Sequence, residues 1–243
     1  MKFYLGVHMT NWLESAGVPL FVSHIRLKNR KTFPRAIAPW ALDSGGFSEL
    51  AANGTWTIGP VEYFHAVKRY TDEIGSMDWA AIQDWMCEPH LLAKTGLTIA
   101  RHQELTCDSY DNLLALSQSL PWRPVLQGWT LPDYLRHAEM YQRRGLPTRR
   151  FGVGSVCRRQ GTDEITAIFR GLHAAGLRLH GFGIKTRGLV ACAPFMESAD
   201  SMAWSLRARW AGKGQANSLD FALNWRRRLL RRMTGQCALE FTQ

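Results

Sequence analysis

The sequence predicts an α/β protein, a single (β/α)8 barrel of the TIM type, and three observations carry that expectation. Short apolar runs alternate with segments of helical period along the chain, the pattern of parallel strands joined by crossover helices. The C-terminal ends of these runs collect carboxylates, amides, hydroxyls and glycines, as the active rim of such a barrel does. The length, 243 residues, is close to the roughly 250 that a barrel uses. An open doubly wound sheet is the alternative architecture.

In chain order, residues 2–8 form the first strand, whose tip carries His8 ahead of Asn11 and Trp12. Residues 18–27 are a second β-like run, and Asn29-Arg30-Lys31 is a basic surface loop. The third run, 38–42, is apolar throughout, as a strand buried on both faces should be, and stops at Asp43-Ser44-Gly45-Gly46-Phe47. Gly45 and Gly46 open backbone angles closed to other residues and let a ligand approach the main chain. Asp43 and Ser44 either project into a cleft or cap the next helix.

Residues 60–74 place Val61, Phe64, Val67, Tyr70 and Ile74 at helical spacing behind Pro60, a residue favoured at a helix start. The run 78–84 ends at Gln83-Asp84. A helix over 98–120 leads to the run 123–129, with Gln127-Gly128 at its tip; a helix over 131–144 leads to 150–155, ending at Gly154-Ser155. A helix over 163–175 leads to 177–183, which carries His180, Gly181 and Gly183, and the last clear tip is Pro194 to Asp200. About seven strands are placed this way; the eighth is not, and the region after Asp200 reads as mostly helical. Segment 202–233 holds Arg207, Arg209, Lys213 and Asn224-Trp225-Arg226-Arg227-Arg228-Leu229-Leu230-Arg231-Arg232. It reads as a helix docked by Trp225, Leu229 and Leu230 with arginines facing phosphate; an ordinary basic surface helix is the alternative.

A composition of 46% hydrophobic and 21% charged residues, without low-complexity tracts or linker-like segments, favours one folded domain over 1–243. No apolar run approaches the roughly 18 residues of a membrane span, and the N-terminus has no signal-peptide core, so the expected compartment is cytoplasmic, in a bacterial or phage-infected cell. Five scattered cysteines with no CxxC pair predict reduced thiols, neither a disulfide framework nor a structural zinc. The net charge of +10 favours a polyanionic partner, nucleic acid before a membrane; a merely solvated basic surface is the alternative.

Taken together, the tips Asp43-Ser44-Gly45-Gly46-Phe47, Gln83-Asp84, Gln127-Gly128, Gly154-Ser155, Gly181-Phe182-Gly183 and Ser198-Ala199-Asp200-Ser201 resemble the tRNA-guanine transglycosylase superfamily. The resemblance runs from about Leu42 to Arg209 and is closest to the short branch that inserts 7-deazapurines into DNA. It implies exchange of guanine in DNA for a 7-deazaguanine such as 7-cyano-7-deazaguanine, with no cofactor. Asp200 would be the nucleophile at the sugar C1′ and Asp43 the acid/base residue. Asp84, Gln127 and Gly128 would hold the base edge, with Ser44, Gly45 and Gly46 beside them. Gly154 and Ser155 would offer N–H groups to the base carbonyl, Phe47 would stack on its face, and His180 and Gly181 would line the far wall. His180 stands where the tRNA enzymes usually carry an apolar residue. The only cysteine after Asp200 is Cys237, so the zinc site of the tRNA enzymes has no counterpart here, which favours DNA over tRNA. A non-catalytic nucleic-acid-binding barrel and a barrel enzyme acting on phosphorylated metabolites compete with this reading.

The chemistry fits two carboxylates: one captures the oxocarbenium-like centre at C1′, the other moves protons to the departing base and from the incoming one. Burial beside another carboxylate raises a pKa, which would keep Asp43 partly protonated near neutrality. A base within a duplex must first be flipped out, at a cost of a few kcal/mol. Arg158, Arg159, Lys185, Arg187, Arg207 and Arg209 follow strand tips and are candidate phosphate ligands. Helper proteins that melt the duplex stay open.

Overall fold

The computed structural model describes residues 1–146, 149–157, 159, 163–210, 212 and 215–234. Its strands are β1 (Lys2–Val7), β2 (Leu20–Ser23), β3 (Trp40–Asp43), β4 (Met77–Ala81), β5 (Trp122–Arg123), β6 (Val125–Leu126), β7 (Arg150–Val153), β8 (Arg178–Gly181) and β9 (Ser198–Ser201). Every pairing is parallel, and the order is β5-β4-β3-β2-β1-β9-β8-β7-β6.

The two ends of that order are one piece of chain. β5 pairs with β4 and β6 with β7, and only Pro124 separates them. Proline has no N–H to give the ladder, yet its carbonyl still accepts from Gly152 N–H at 2.8 Å. The sheet therefore forms a nearly closed barrel of eight staves, one broken at Pro124. The stave that the sequence leaves unassigned lies among the runs already named, and no strand follows Ser201 among the described residues. The ambiguity has a physical source: β2 is only four residues long and passes directly into a helical turn, His24–Leu27, so the run 18–27 mixes two periods.

The crossover helices match their apolar spacing. Pro60–Ile74 buries Tyr63, Val67, Tyr70 and Ile74 on one face. Ile99–Leu116 starts where the Thr98 hydroxyl accepts from Arg101 N–H. Leu131–Arg143 opens with a capping box between Thr130 and Asp133, which satisfies donors that a helix start leaves unpaired. Asp163–Ala174 buries Ile165, Ile168, Phe169 and Leu172. Periodicity does not reveal the short helices Gly46–Asn53, Pro89–Thr95 and Thr186–Cys192, each too brief to show a full apolar repeat.

Helix aromatics bolt the staves from outside. The hydroxyls of Tyr63, Tyr134 and Tyr141 donate to the carbonyls of Ala81 (2.7 Å), Gly154 (2.7 Å) and Val125 (3.1 Å), and Trp204 Nε1–H donates to the Gly6 carbonyl at 2.7 Å. Each bond satisfies a buried backbone group that would cost about 1–3 kcal/mol if left alone, and each ring adds on the order of 2 kcal/mol of apolar burial. Three of these carbonyls, those of Gly6, Ala81 and Gly154, lie at the C-terminal ends of staves, so this bolting fixes the rim. Inside the barrel, His180 packs in an aromatic layer with Phe21 and Trp79 and is covered by Phe182, its ring centred 4.6 Å from Trp79 and 4.9 Å from Phe182. Among the described residues no helix is long and apolar enough to cross a membrane.

Candidate active site

Above that aromatic layer, the C-terminal ends of the staves enclose a cavity of about 250 Å³. Asp43 from β3, Asp84 from beyond β4, Gln127 from beyond β6, Gly154 and Ser155 from beyond β7 and Asp200 from β9 all line it. Phe47, Phe21, Val156, Phe182 and Met202 supply apolar wall. Three carboxylates from separate staves thus face one space.

One side of the cavity is a relay of side chains. The Asp84 carboxylate accepts from Ser44 Oγ at 3.1 Å and from Gln127 Nε2. Gln127 Oε1 in turn meets the Ser155 hydroxyl at 2.6 Å, and that hydroxyl also lies 2.8 Å from Glu88 Oε2 while accepting from Cys87 N–H at 2.8 Å. Gly154 makes this path available: a Cβ there would sit 2.2 Å from Gln127 Nε2. Ser155 takes a left-handed φ of +54°, an angle that strains a non-glycine residue and is held only where surroundings fix it. The Gln127 backbone is itself pinned, its N–H donating to His137 Nδ1 at 2.8 Å and its carbonyl accepting from Gln103 Nε2 at 2.7 Å. Burial pushes His137 down to about 3, so its ring is neutral and free to accept.

Burial and the neighbouring Asp43 charge push Asp84 up to about 7. Burial also raises Asp43, with the Asp200 charge adding to it, while hydrogen bonds from the Ser23 hydroxyl and Gly45 N–H pull the other way. Gly45 can present that N–H because it adopts φ +83°, a region favourable to glycine. Across the cavity, Asp200 Oδ1 accepts from Gly183 N–H at 2.8 Å and faces His180 Nε2 at 3.3 Å. His180 Nδ1 pairs with Ser198 Oγ at 2.9 Å, and burial lowers the imidazole pKa. A neutral ring with its proton on Nε2 satisfies both partners.

The sequence model of one family, DpdA: DeoxyPurine in DNA protein A, matches residues 1–239. The chain belongs to the DpdA family. That match places it with the transglycosylases that insert 7-deazapurines into DNA, the branch the strand-tip motifs resemble. No curated protein matches the chain. Among solved structures, the YdjI aldolase from Escherichia coli K12 is similar over 98% of this chain and 88% of that one, at 15% identity and a TM-score of 0.47.

For this DpdA chain, the structure separates the sequence candidates. Asp43 lines the cavity, whereas Ser44 is buried behind it, donating to Asp84 and accepting from Gly46 N–H at 3.4 Å within the turn; the helix Gly46–Asn53 is capped by neither, because its N-cap is Gly45, which has no side chain to offer. Gly45 and Gly46 shape the turn beside them. His180 lies under Asp200 in the aromatic layer, not on the cavity wall, because alternate strand residues point inward and the one above it, Phe182, takes the wall. Gly128 packs against Asp133 and Gly181 against Ile184, away from the cavity. Glu88, 4% exposed and lining the cavity, escapes the sequence reading; a second carboxylate four residues past Asp84 is the available signal.

The basic candidates divide as well. Arg158 and Lys213 lie outside the described residues. Arg159 stacks 3.8 Å over Trp129, bonds its carbonyl and pairs with Glu164, so its guanidinium is occupied within the protein. Lys185 and Arg187 are exposed at the start of Thr186–Cys192, and Arg207 and Arg209 on the helix Ala203–Trp210. The C-terminal helix spans Leu219–Met233 and docks through Trp225, 6.1 Å from Phe3, and Leu229. Its Arg226, Arg227 and Arg231 line a groove with Val18, ahead of the N-terminal end of β2 and so at the end of the barrel opposite the cavity.

Proposed function

We propose that this DpdA protein is a DNA-guanine transglycosylase that exchanges guanine in DNA for a free 7-deazaguanine base by double displacement. The observation that supports this best is the convergence of Asp43, Asp84 and Asp200 on one cavity together with Gln127 and Ser155. In this reading an Asp200 oxygen bonds to C1′ as the C1′–N9 bond breaks, and Asp43 gives the departing guanine its proton. The incoming deazaguanine loses a proton to Asp43, its ring nitrogen bonds to C1′, and the Asp200 ester breaks. Two inversions leave the sugar configuration retained. Asp84 and Gln127 hold the N–H edge of the base, the Gly154 and Ser155 backbone faces its carbonyl, and Phe47 packs on the ring. Asp43 suits proton transfer in both directions because its raised pKa brings it toward working pH.

The test is mass spectrometry of nucleosides after incubating the protein with guanine-containing DNA, or with tRNA, and a 7-deazaguanine such as 7-cyano-7-deazaguanine. Deazanucleoside from DNA supports the reading. Product from tRNA alone replaces DNA with tRNA as the acceptor, and binding without exchange from either returns the chain to a non-catalytic nucleic-acid-binding barrel.

A further inference from the structure

The helix Ala203–Trp210 leaves the barrel directly from the catalytic rim, since Met202, the residue before it, lines the cavity. It docks by Trp204 and Ala208, both fully buried. At 100° per residue those two positions lie nearly opposite Met202, Leu206 and Trp210, which are 38%, 44% and 78% exposed. Among the described residues, the other exposed large apolar residues, such as Ile37 in the segment before β3, Val61 on Pro60–Ile74 and Leu116 at the end of Ile99–Leu116, stand apart from one another, as scattered surface hydrophobes do. Here three share one face, in register, beginning inside the site. Arg207 and Arg209 flank the stripe and are exposed.

We infer that this stripe is a stacking platform for the nucleotides next to the flipped one. The inference rests on the function proposed above, and it names how DNA lies on that site. Met202 to Trp210 spans about 12 Å along the helix at 1.5 Å per residue, which is three to four nucleotide steps at about 3.4 Å each. An exposed indole and a leucine between arginines is the combination that single-stranded nucleic acid uses: bases stack on the ring while cations meet the phosphates. An apolar side chain beside the cavity also fills the gap that a flipped base leaves in a duplex. A net charge of +10 complements such a partner.

The experiment measures affinity for single-stranded oligonucleotides of increasing length around one guanine. Wild-type protein gains affinity once the strand extends about four nucleotides beyond the guanine on one side. Trp210→Ala removes that gain, with a 5- to 100-fold weaker Kd on the longer strand only, and Trp210→Phe restores most of it. The high exposure of Trp210 makes misfolding an unsuitable explanation, and an unchanged circular dichroism melt checks this. An unchanged length dependence in Trp210→Ala overturns the platform, and so does a shift in oligomeric state with no change in DNA affinity, which assigns the stripe to a second copy of the chain. Wild-type protein that neither binds nor modifies DNA sinks the parent reading instead.

Discussion

Asp84 and Asp200 face each other across one cavity but are held in opposite ways. Asp200 is aimed by a main-chain N–H, that of Gly183, and by His180, which is locked in a layer of aromatic rings. Asp84 is held by the side chains of Ser44 and Gln127, and Gln127 continues to Ser155 and Glu88. A group that must form a bond at one atom benefits from fixed aim, because small errors of position are costly in rate. A group that reads the edge of a base benefits from partners that trade places with the ligand. In the proposed function the two sides of the mouth would serve these two tasks, Asp200 the first and Asp84 the second.

The largest expected effect tests the fixed side. Asp200→Asn keeps an oxygen for Gly183 N–H but no longer has a carboxylate to capture C1′. Base exchange should fall by more than about 1,000-fold, while DNA binding stays within a few fold. A covalent protein–DNA adduct, detectable on denaturing gels with wild-type protein, should vanish with it. Exchange within tenfold of wild type would remove Asp200 from the chemistry.

The same contrast explains what the sequence makes legible. Asp43 and Asp84 stand out because each ends an apolar run, and a strand tip fixes where its side chain goes; Asp200 follows Glu197-Ser198-Ala199 and stands out only through the resemblance of its tip. Glu88 does not, because residues 85–88 follow no period; their path is set from a distant helix, where Thr106 Oγ1 accepts from Trp85 N–H at 2.9 Å and His102 Nδ1 meets the Met86 carbonyl at 2.6 Å. The resemblance places His180 at the far wall, where the tRNA enzymes usually carry an apolar residue, whereas here its ring meets Asp200 from below. Arg159 reads as free because nothing local in sequence announces Trp129 beneath it. The run 123–129 reads as one strand, whereas Pro124, which has no N–H for the ladder, splits it so that β5 pairs with β4 and β6 with β7.

A middle-sized effect tests the relay. Gly154→Ala would place a methyl 2.2 Å from Gln127 Nε2, and the amide must swing off Asp84. Affinity for the free base should fall about 10- to 100-fold, the loss of one or two buried hydrogen bonds. The melting temperature should drop as well. Gly152→Ala sharpens the comparison, because its methyl would meet the Phe182 ring at 2.3 Å under the fixed side. It should destabilise the protein, while calorimetry of the surviving fold shows base affinity nearer to wild type than in Gly154→Ala. Equal losses of base affinity in both variants would mean the two sides are not separable.

The smallest effect is a shift in pH. In the proposed function an ionised Asp84 accepts two N–H groups from the base edge and a protonated one does not, so base affinity should rise with pH through about 7. Part of that elevation comes from the Asp43 charge, and Asp43→Asn should move the midpoint to lower pH by on the order of one unit. Stability should follow the opposite course. A carboxyl whose folded pKa lies above its unfolded value stabilises the fold below the unfolded value, near 4, and that contribution is lost as pH rises through the folded one. Wild-type protein should therefore lose at most about 4 kcal/mol from this group between pH 4 and pH 8, and Asp43→Asn should lose less. Urea unfolding at pH 5 and pH 8 alongside calorimetric base titrations reads both quantities. A midpoint that ignores Asp43 would show that the relay responds to burial alone, and the proton transfer proposed for Asp43 would then have to run without coupling to Asp84.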